Sequence, residues 1–280
     1  MSGGLTQLLS MEAPLQRRRI LLHFLEPPDC CRSSLLERLY AGTYDKPFII
    51  DRGLRRFLHF DLFAIQSAMH LRHPDHLSLA YTRKMMAFLL FNQAPARILL
   101  LGLGGGSLAK FCYRNLPGAR ITAVEVNPHV IALREAFHIP GDDDRFQVVC
   151  EEGAAYIARR GHPKDVILAD ACDSGGVSEK CNTLEFYQHI HRRLSAGGVF
   201  VSNLCVDVYG NAQQIRRICR VFGTDCVTLQ VKQDGNVIVL AFKTPGPIIP
   251  WTRLEAAATA LKRQFGLDFP RYLRRAQQQR

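Results

Sequence analysis

No apolar run in this chain approaches the ~20 residues that a membrane-spanning helix requires, so the sequence offers no membrane segment. Met1-Ser2-Gly3-Gly4 begins no basic-then-apolar leader, and the apolar run over 20–25 is too short to serve as one; the expected compartment is the cytoplasm. The nine cysteines include neither a C-x-x-C pair nor a His/Cys group at zinc spacing, which argues against a structural metal site. Cys112, Cys150, Cys205 and Cys219 fall in predicted helices or strands, where a reduced thiol behaves as a small buried hydrophobe. Internal repeats are missing too, and so is any nucleic-acid-binding motif. That last absence matters because the charge is one-sided, with 36 Lys and Arg against 25 Asp and Glu for a net +11. Arg17, Arg18 and Arg19, Arg52, Arg55 and Arg56, and Arg271, Arg274, Arg275 and Arg280 hold much of the excess. Without a motif to direct them, they read as a solvated basic surface rather than a nucleic-acid site.

What the chain does have is an organising stretch at 96–111. Ile98, Leu99, Leu100 and Leu101 form an unbroken apolar run, as in a parallel strand buried on both faces. It runs into Gly102, Gly104, Gly105 and Gly106, where the backbone can turn sharply and approach a ligand, and then into a helical pattern. The next predicted strand, 120–125, ends in Glu125, about 20 residues after the glycines, the position of an acid that grips ribose hydroxyls.

Strand and helix then alternate. Strands are predicted near 97–102, 120–125, 146–150, 165–170 and 198–204, with helices near 106–115, 128–137, 152–160, 183–195 and 210–222. The last two strands, 226–231 and 236–242, have no helix between them and are linked through Asp234-Gly235, a hairpin signal. A mostly parallel sheet ending in an antiparallel hairpin predicts an α/β, methyltransferase-like Rossmann fold over 95–246. Ahead of it, 1–94 is read as a small antiparallel β-domain with strands at 48–50, 57–60 and 64–69, a turn at Asp51-Arg52-Gly53 and a linking helix over 77–91. Residues 1–40 resist assignment apart from a short helix over 35–40. A final helix is expected over 251–265, with a frayed basic tail beyond Phe269 completing 247–280.

In open α/β sheets the ligand lies beyond the carboxyl ends of the strands. The acids at those ends are Glu125, then Glu151 and Glu152, then Asp170 and Asp173. Together they form a negative rim in a positive protein, which suits a cationic ligand. A buried strand delivers Asp170 rigidly, and Asp173 follows on a Gly-containing loop with Ser174, Gly175 and Gly176. One carboxylate can accept a proton from an amine while the other holds its cationic end.

Over 46–243 the chain resembles the polyamine aminopropyltransferases, the spermidine synthase family. The resemblance is carried by Gln66, Tyr81, the glycine loop, Glu125, the D-x-x-D pair Asp170 and Asp173, and the following Glu185-Phe186-Tyr187. It implies a small N-terminal β-domain on a methyltransferase-like domain. It also implies transfer of an aminopropyl group from decarboxylated S-adenosylmethionine to a polyamine, with release of methylthioadenosine and with no metal or resident cofactor. On this resemblance Asp170 is the proton acceptor, Asp173 holds the amine, Glu125 binds ribose, and Gly102, Gly104, Gly105 and Gly106 form the nucleoside loop. Glu152-Gly153 stands where the family reads adenine, Gln66 and Tyr81 line the pocket, and Asn203 replaces a family glutamine. Gly105 stands where the family carries an acid, and Ser78, Leu79, Thr82 and Arg83 replace acidic and polar neighbours of the tyrosine. A homo-oligomer, a dimer in the simplest case, is implied. The same scaffold admits two other readings, an S-adenosylmethionine-dependent methyltransferase or a non-catalytic nucleoside-binding relative.

Overall fold

A computed structural model of the protein describes residues 8–15, 18–173, 176–205, 211–223, 226–233, 235–243 and 251–277. The N-terminal part is a five-stranded antiparallel meander, β1 (Leu9–Leu15), β2 (Arg18–Phe24), β3 (Phe48–Arg52), β4 (Arg55–His59) and β5 (Ile65–His70), in that spatial order. Helix α1 (Arg32–Tyr40) buries Leu35 and Leu39 with Phe24, Tyr44 and Phe48 in a small separate core. The β1–β2 hairpin was not expected from the sequence. Pro14 in β1 and the arginine run beside it argue against a strand, but β1 is the sheet's outer edge, where proline is tolerated. The first turn also differs from expectation, because Asp51 and Arg52 belong to β3 and the reversal falls at Gly53-Leu54.

Asp51 is instead the centre of a cross-strand network. His23 Nε2 lies 2.9 Å from its carboxylate, and Arg56 engages both oxygens at 2.9 and 2.7 Å. Arg56 Nη1 also donates to the carbonyl of Ala136 at 2.6 Å, which ties the meander to the second domain. Burial pushes the Asp51 carboxyl up, but the Arg56 and His23 hydrogen bonds outweigh it and hold it at about 2. A carboxyl held below its unfolded value stabilises the fold above that value, 3.8, and the contribution is lost as pH falls through about 2. Arg56→Ala leaves this carboxylate without its main partner; it is expected to cost about 3–5 kcal/mol in urea titrations near pH 7 and less at pH 2–3, where the carboxyl takes up a proton.

The linking segment is shorter than a 15-residue helix. It is α2 (Ala80–Met85) followed by a tight 3₁₀ turn (Met86–Leu90), all five of whose residues are buried. The second domain follows as β6 (Arg97–Leu101), α3 (Ser107–Asn115), β7 (Arg120–Glu125), α4 (Pro128–Ala132), β8 (Phe146–Cys150), α5 (Gly153–Ala158) and β9 (Lys164–Ala169). A two-residue pairing of β10 (Cys172–Asp173) with β11 (Gly176–Val177) precedes α6 (Leu184–Arg193), β12 (Leu194–Leu204), α7 (Ala212–Phe222), β13 (Val227–Gln230) and β14 (Val237–Phe242). Seven strands make one sheet in the order β13-β14-β12-β9-β6-β7-β8, parallel except at β14, which runs against both its neighbours. The hairpin is therefore where the sequence placed it, with Gly235 inside it and Asp234 outside the described residues.

The sheet is buried on both faces. Ile98 and Leu100 of β6 join the core on one face, and Leu99 and Leu101 join the core on the other. Val166 and Leu168 of β9 split from Ile167 and Ala169 in the same way. Only parallel strands covered by helices on both sides need apolar side chains at every position.

Helix α4 stops at Ala132, five residues short of expectation. The C-terminal end departs most. Beyond α8 (Trp251–Phe265) the basic tail is not frayed but forms α9 (Phe269–Gln277), with Phe269, Tyr272, Leu273 and Ala276 buried. Their spacing of three, four and seven is an apolar stripe, and the arginines occupy the remaining face. The expectation of reduced thiols fails at Cys205. Cys205 is disulfide-bonded, while Cys30, Cys31, Cys112, Cys150, Cys181, Cys219 and Cys226 are free. Among the described residues no helix is long and apolar enough to cross a membrane.

Candidate active site

The carboxyl ends of β6, β7, β9 and β12 open into a cavity of ≈ 970 Å³, closed on one side by residues of β4, β5 and α2. Its floor is set by two backbone hydrogen bonds. Gly102 N donates to Val124 O and Asp170 N donates to Leu101 O, both at 2.8 Å, so the ends of β7, β6 and β9 are locked together. Gly102 has φ +96°, and a Cβ there would stand 2.3 Å from the Asp170 carbonyl oxygen. Only glycine permits both this turn and this approach.

Glu125 closes β7 and spends one oxygen on each side of the crevice. Leu103 N donates to Oε2 at 3.0 Å and Asn127 N donates to Oε1 at 2.9 Å. The carboxylate thus fixes the glycine loop relative to the start of α4, and its remaining lone pairs can accept from hydroxyls on a ligand. Glu152 is the N-cap of α5, accepting from Ala154 N at 2.9 Å and Ala155 N at 3.1 Å, with Gly153 beside it as the first helical residue.

Asp170 has the most specific surroundings. Tyr81 Oη donates to its Oδ2 at 3.0 Å, and Asn203 Nδ2 donates to its Oδ1 at 2.8 Å. The protein packed around Asp170 raises its carboxyl above the ordinary carboxylate value; the hydrogen bonds from Asn203 and Tyr81 oppose this, and the Glu125 charge adds to it. A carboxylate so placed is a competent proton acceptor: it is held for attack by two donors and is more basic than one in water.

The cavity brings together Gln66, Tyr81, Gly102, Gly104, Glu125, Glu152, Gly153, Asp170 and Asn203. Gly105 and Gly106 are off its wall. A side chain at 105 would meet Ser67 Oγ at 2.6 Å and the Phe137 ring at 2.9 Å, and one at 106 would run into Ile139. These two glycines make room for protein, not for a ligand. The side chain of Asp173 lies outside the described residues, as do Ser174 and Gly175. Arg83, one of the altered neighbours of Tyr81, donates to the carbonyls of Leu77 and Ser78 at 2.8 and 2.9 Å and is not on the wall, whereas Leu79 and Thr82 are.

Several wall residues escaped sequence reasoning, Ser67, Ser107 and Asn236 among them. Ser67 and Ser107 are buried, with their hydroxyls 3.5 Å apart, and Asn236 donates through Nδ2 to Asn203 Oδ1 at 3.1 Å. Nothing local marks the serines. Asn236 beside Gly235 reads as turn chemistry, which hides it. Among the described residues no group of three or more His, Cys, Asp or Glu side chains is placed to hold a metal ion.

Comparison with known proteins adds the family. The spermine/spermidine synthase domain matches residues 78–227, the span from the Tyr81 segment to the start of β13. A polyamine aminopropyltransferase of Chromobacterium violaceum is 38% identical over 231 residues, covering 82% of this chain and 88% of that protein. One from Neisseria meningitidis is 37% identical over 227 residues, covering 80% and 86%. The crystal structure of a probable spermidine synthase from Corynebacterium glutamicum superposes with a TM-score of 0.61 at 20% identity, covering 91% of this chain and 86% of that one, and so shares the fold. With a matched domain that takes in Tyr81, the glycine loop, Glu125, Asp170 and Asn203, and relatives aligned over four-fifths of its length, the chain belongs to the spermine/spermidine synthase family.

Proposed function

We propose that the protein is an aminopropyltransferase that moves the aminopropyl group of decarboxylated S-adenosylmethionine to a primary amine of a polyamine. The observation that carries this reading is Asp170, a carboxylate made more basic by its surroundings and gripped by Tyr81 and Asn203 on the cavity wall. An amine in water is protonated and has no lone pair to give. Asp170 accepts that proton; the freed nitrogen attacks the carbon beside the sulfonium, the carbon–sulfur bond breaks, and its electron pair stays on sulfur. The products are the elongated polyamine and methylthioadenosine.

The rest of the wall suits the two cationic reactants. Glu125 accepts from the ribose, and Glu152 and Gly153 face the base. Gln66 from β5 and Tyr81 from α2 close over the donor. Asp173 is assigned the acceptor's second ammonium on its sequence position two residues after Ala171. Holding nitrogen, carbon and sulfur in line supplies much of the rate, and the negative rim favours a sulfonium and a polyamine over neutral competitors.

The test is incubation of the purified protein with decarboxylated S-adenosylmethionine and a panel of diamines and longer polyamines, read by mass spectrometry. Methylthioadenosine appearing in step with one aminopropylated product is the expected result. Absence of methylthioadenosine with every acceptor, or methylated products from intact S-adenosylmethionine, overturns it.

A further inference from the structure

Asn203 holds Asp170 through an amide that could equally face the other way. A carboxamide has a donating edge and an accepting edge that a half-turn exchanges. With the N–H edge toward Asp170 it favours the charged carboxylate; with the C=O edge there, two oxygens oppose each other. Asn203 stands near the end of β12 and is 3% exposed, so water does not choose the edge for it. Besides Asp170 itself, which when ionised can only accept, a group on the next strand connection bears on that choice. Asn236, just before β14, donates through Nδ2 to Asn203 Oδ1 at 3.1 Å, and Asn203 in turn donates through Nδ2 to Asp170 Oδ1 at 2.8 Å. With the N–H edge of Asn236 on its C=O, Asn203 is left with its own N–H edge toward Asp170.

We propose that Asn236 is a positioning residue: its carboxamide locks Asn203 in the one orientation that donates to Asp170, and so keeps Asp170 ready to take a proton. The proposal rests on Asp170 being the proton acceptor of the proposed function. The antiparallel hairpin thereby acquires a role in the chemistry, since it brings a residue remote from the strand-end acids to within two hydrogen bonds of one of them.

The groups facing Asp170 make the relay consequential. Tyr81 on α2 donates to it, and Glu125 on β7 repels its charge. Glu152 ahead of α5, and Glu179 and Lys180 on the 3₁₀ segment that follows β11, line the same cavity. The side chain of Asp173 lies outside the described residues. Against the protein packed around Asp170 and the Glu125 charge, the two donors, Asn203 and Tyr81, stand as the groups that favour the ionised form. Loosening one of them shifts the balance toward the protonated carboxyl.

The experiment compares wild type, Asn236→Ala and Asn236→Asp, each with selectively ¹³C-labelled aspartate and with Asp170→Asn to assign the signal. Two readouts are taken: the titration of the Asp170 carboxyl, and the pH profile of kcat/KM. In Asn236→Ala the carboxyl midpoint and the acid limb are expected to rise together by about one pH unit, the scale of one charge-assisted hydrogen bond. Asn236→Asp is expected to move them further, because its carboxylate can only accept and pulls the N–H edge of Asn203 away. Asn236→Ser, whose hydroxyl can still donate, is expected to show a smaller shift than Asn236→Ala. In an Asn203→Ala background, Asn236→Ala is expected to move nothing more. A uniform loss of activity at every pH with an unmoved carboxyl, or an equal shift with and without Asn203, overturns the proposal. Should the wild-type protein transfer no aminopropyl group, the proposed function falls, while the titration alone still supports or overturns the relay.

Discussion

Asp170→Asn is expected to slow aminopropyl transfer by orders of magnitude while sparing nucleoside binding. The substitution keeps the shape of the side chain and one acceptor oxygen for Tyr81 or Asn203, and it removes the charge proposed to take the proton. A positioned general base contributes about 10²- to 10⁴-fold, so kcat is expected to fall by that factor, with the affinity for methylthioadenosine unchanged. The fold should not suffer. A carboxyl raised above its unfolded value favours the folded state when protonated, and that contribution is lost as pH rises through the folded value. Wherever the carboxyl is ionised its surroundings disfavour that charge, and the amide variant is relieved of it. The melting temperature of Asp170→Asn near pH 7 is therefore expected to equal or exceed that of wild type. Turnover within tenfold of wild type by a folded variant refutes the assignment of Asp170 as proton acceptor.

How much of this site could be read from the chain depends on how far each residue's role is set by its own strand. Ile98 to Leu101 are apolar at every position because β6 has a core on each face, and that pattern is local, so the central strand and everything hung on its end were legible. Glu125 and Asp170 were legible for the same reason: each ends such a strand, and strand ends in a parallel sheet share one rim. Sequence spacing places a residue at the rim but does not say what it faces there. Gly105 and Gly106 look like ligand-loop glycines, yet they answer to Ser67, Phe137 and Ile139, residues 32 to 38 positions away. Glu152 sits at the rim as expected and spends both oxygens capping α5. Asn236 reaches Asp170 only through Asn203, a pairing set by the antiparallel register of β12 and β14. The hairpin β1–β2 and helix α9 were missed because proline and arginine dominate their local pattern, while edge position and a four-residue apolar stripe decide their structure.

A loss of stability and of activity together is expected at Gly102, where fold and chemistry meet in one backbone contact. A methyl group there would lie 2.3 Å from the Asp170 carbonyl oxygen and 2.9 Å from its carbon, both backbone atoms with no rotamer to yield. The φ of +96° adds a conformation that side chains of L-residues rarely adopt. Overpacking costs ~1–3 kcal/mol and a left-handed backbone ~1–2 kcal/mol, so Gly102→Ala is expected to lose about 3 kcal/mol in chemical denaturation. The strain can be released only by parting the ends of β6 and β9, which the Asp170 N to Leu101 O hydrogen bond joins. That movement carries the Asp170 carboxylate with it. Because a displacement near 1 Å in a catalytic group costs about 10²-fold, the folded fraction of the variant is expected to transfer at least two orders of magnitude more slowly. Gly118→Ala is the control. It has open space around its Cβ position and no positive φ, and both its stability, within about 0.5 kcal/mol, and its activity should match wild type. If Gly102→Ala were as stable and as active as Gly118→Ala, the strand-end contact would not be what holds Asp170 in place.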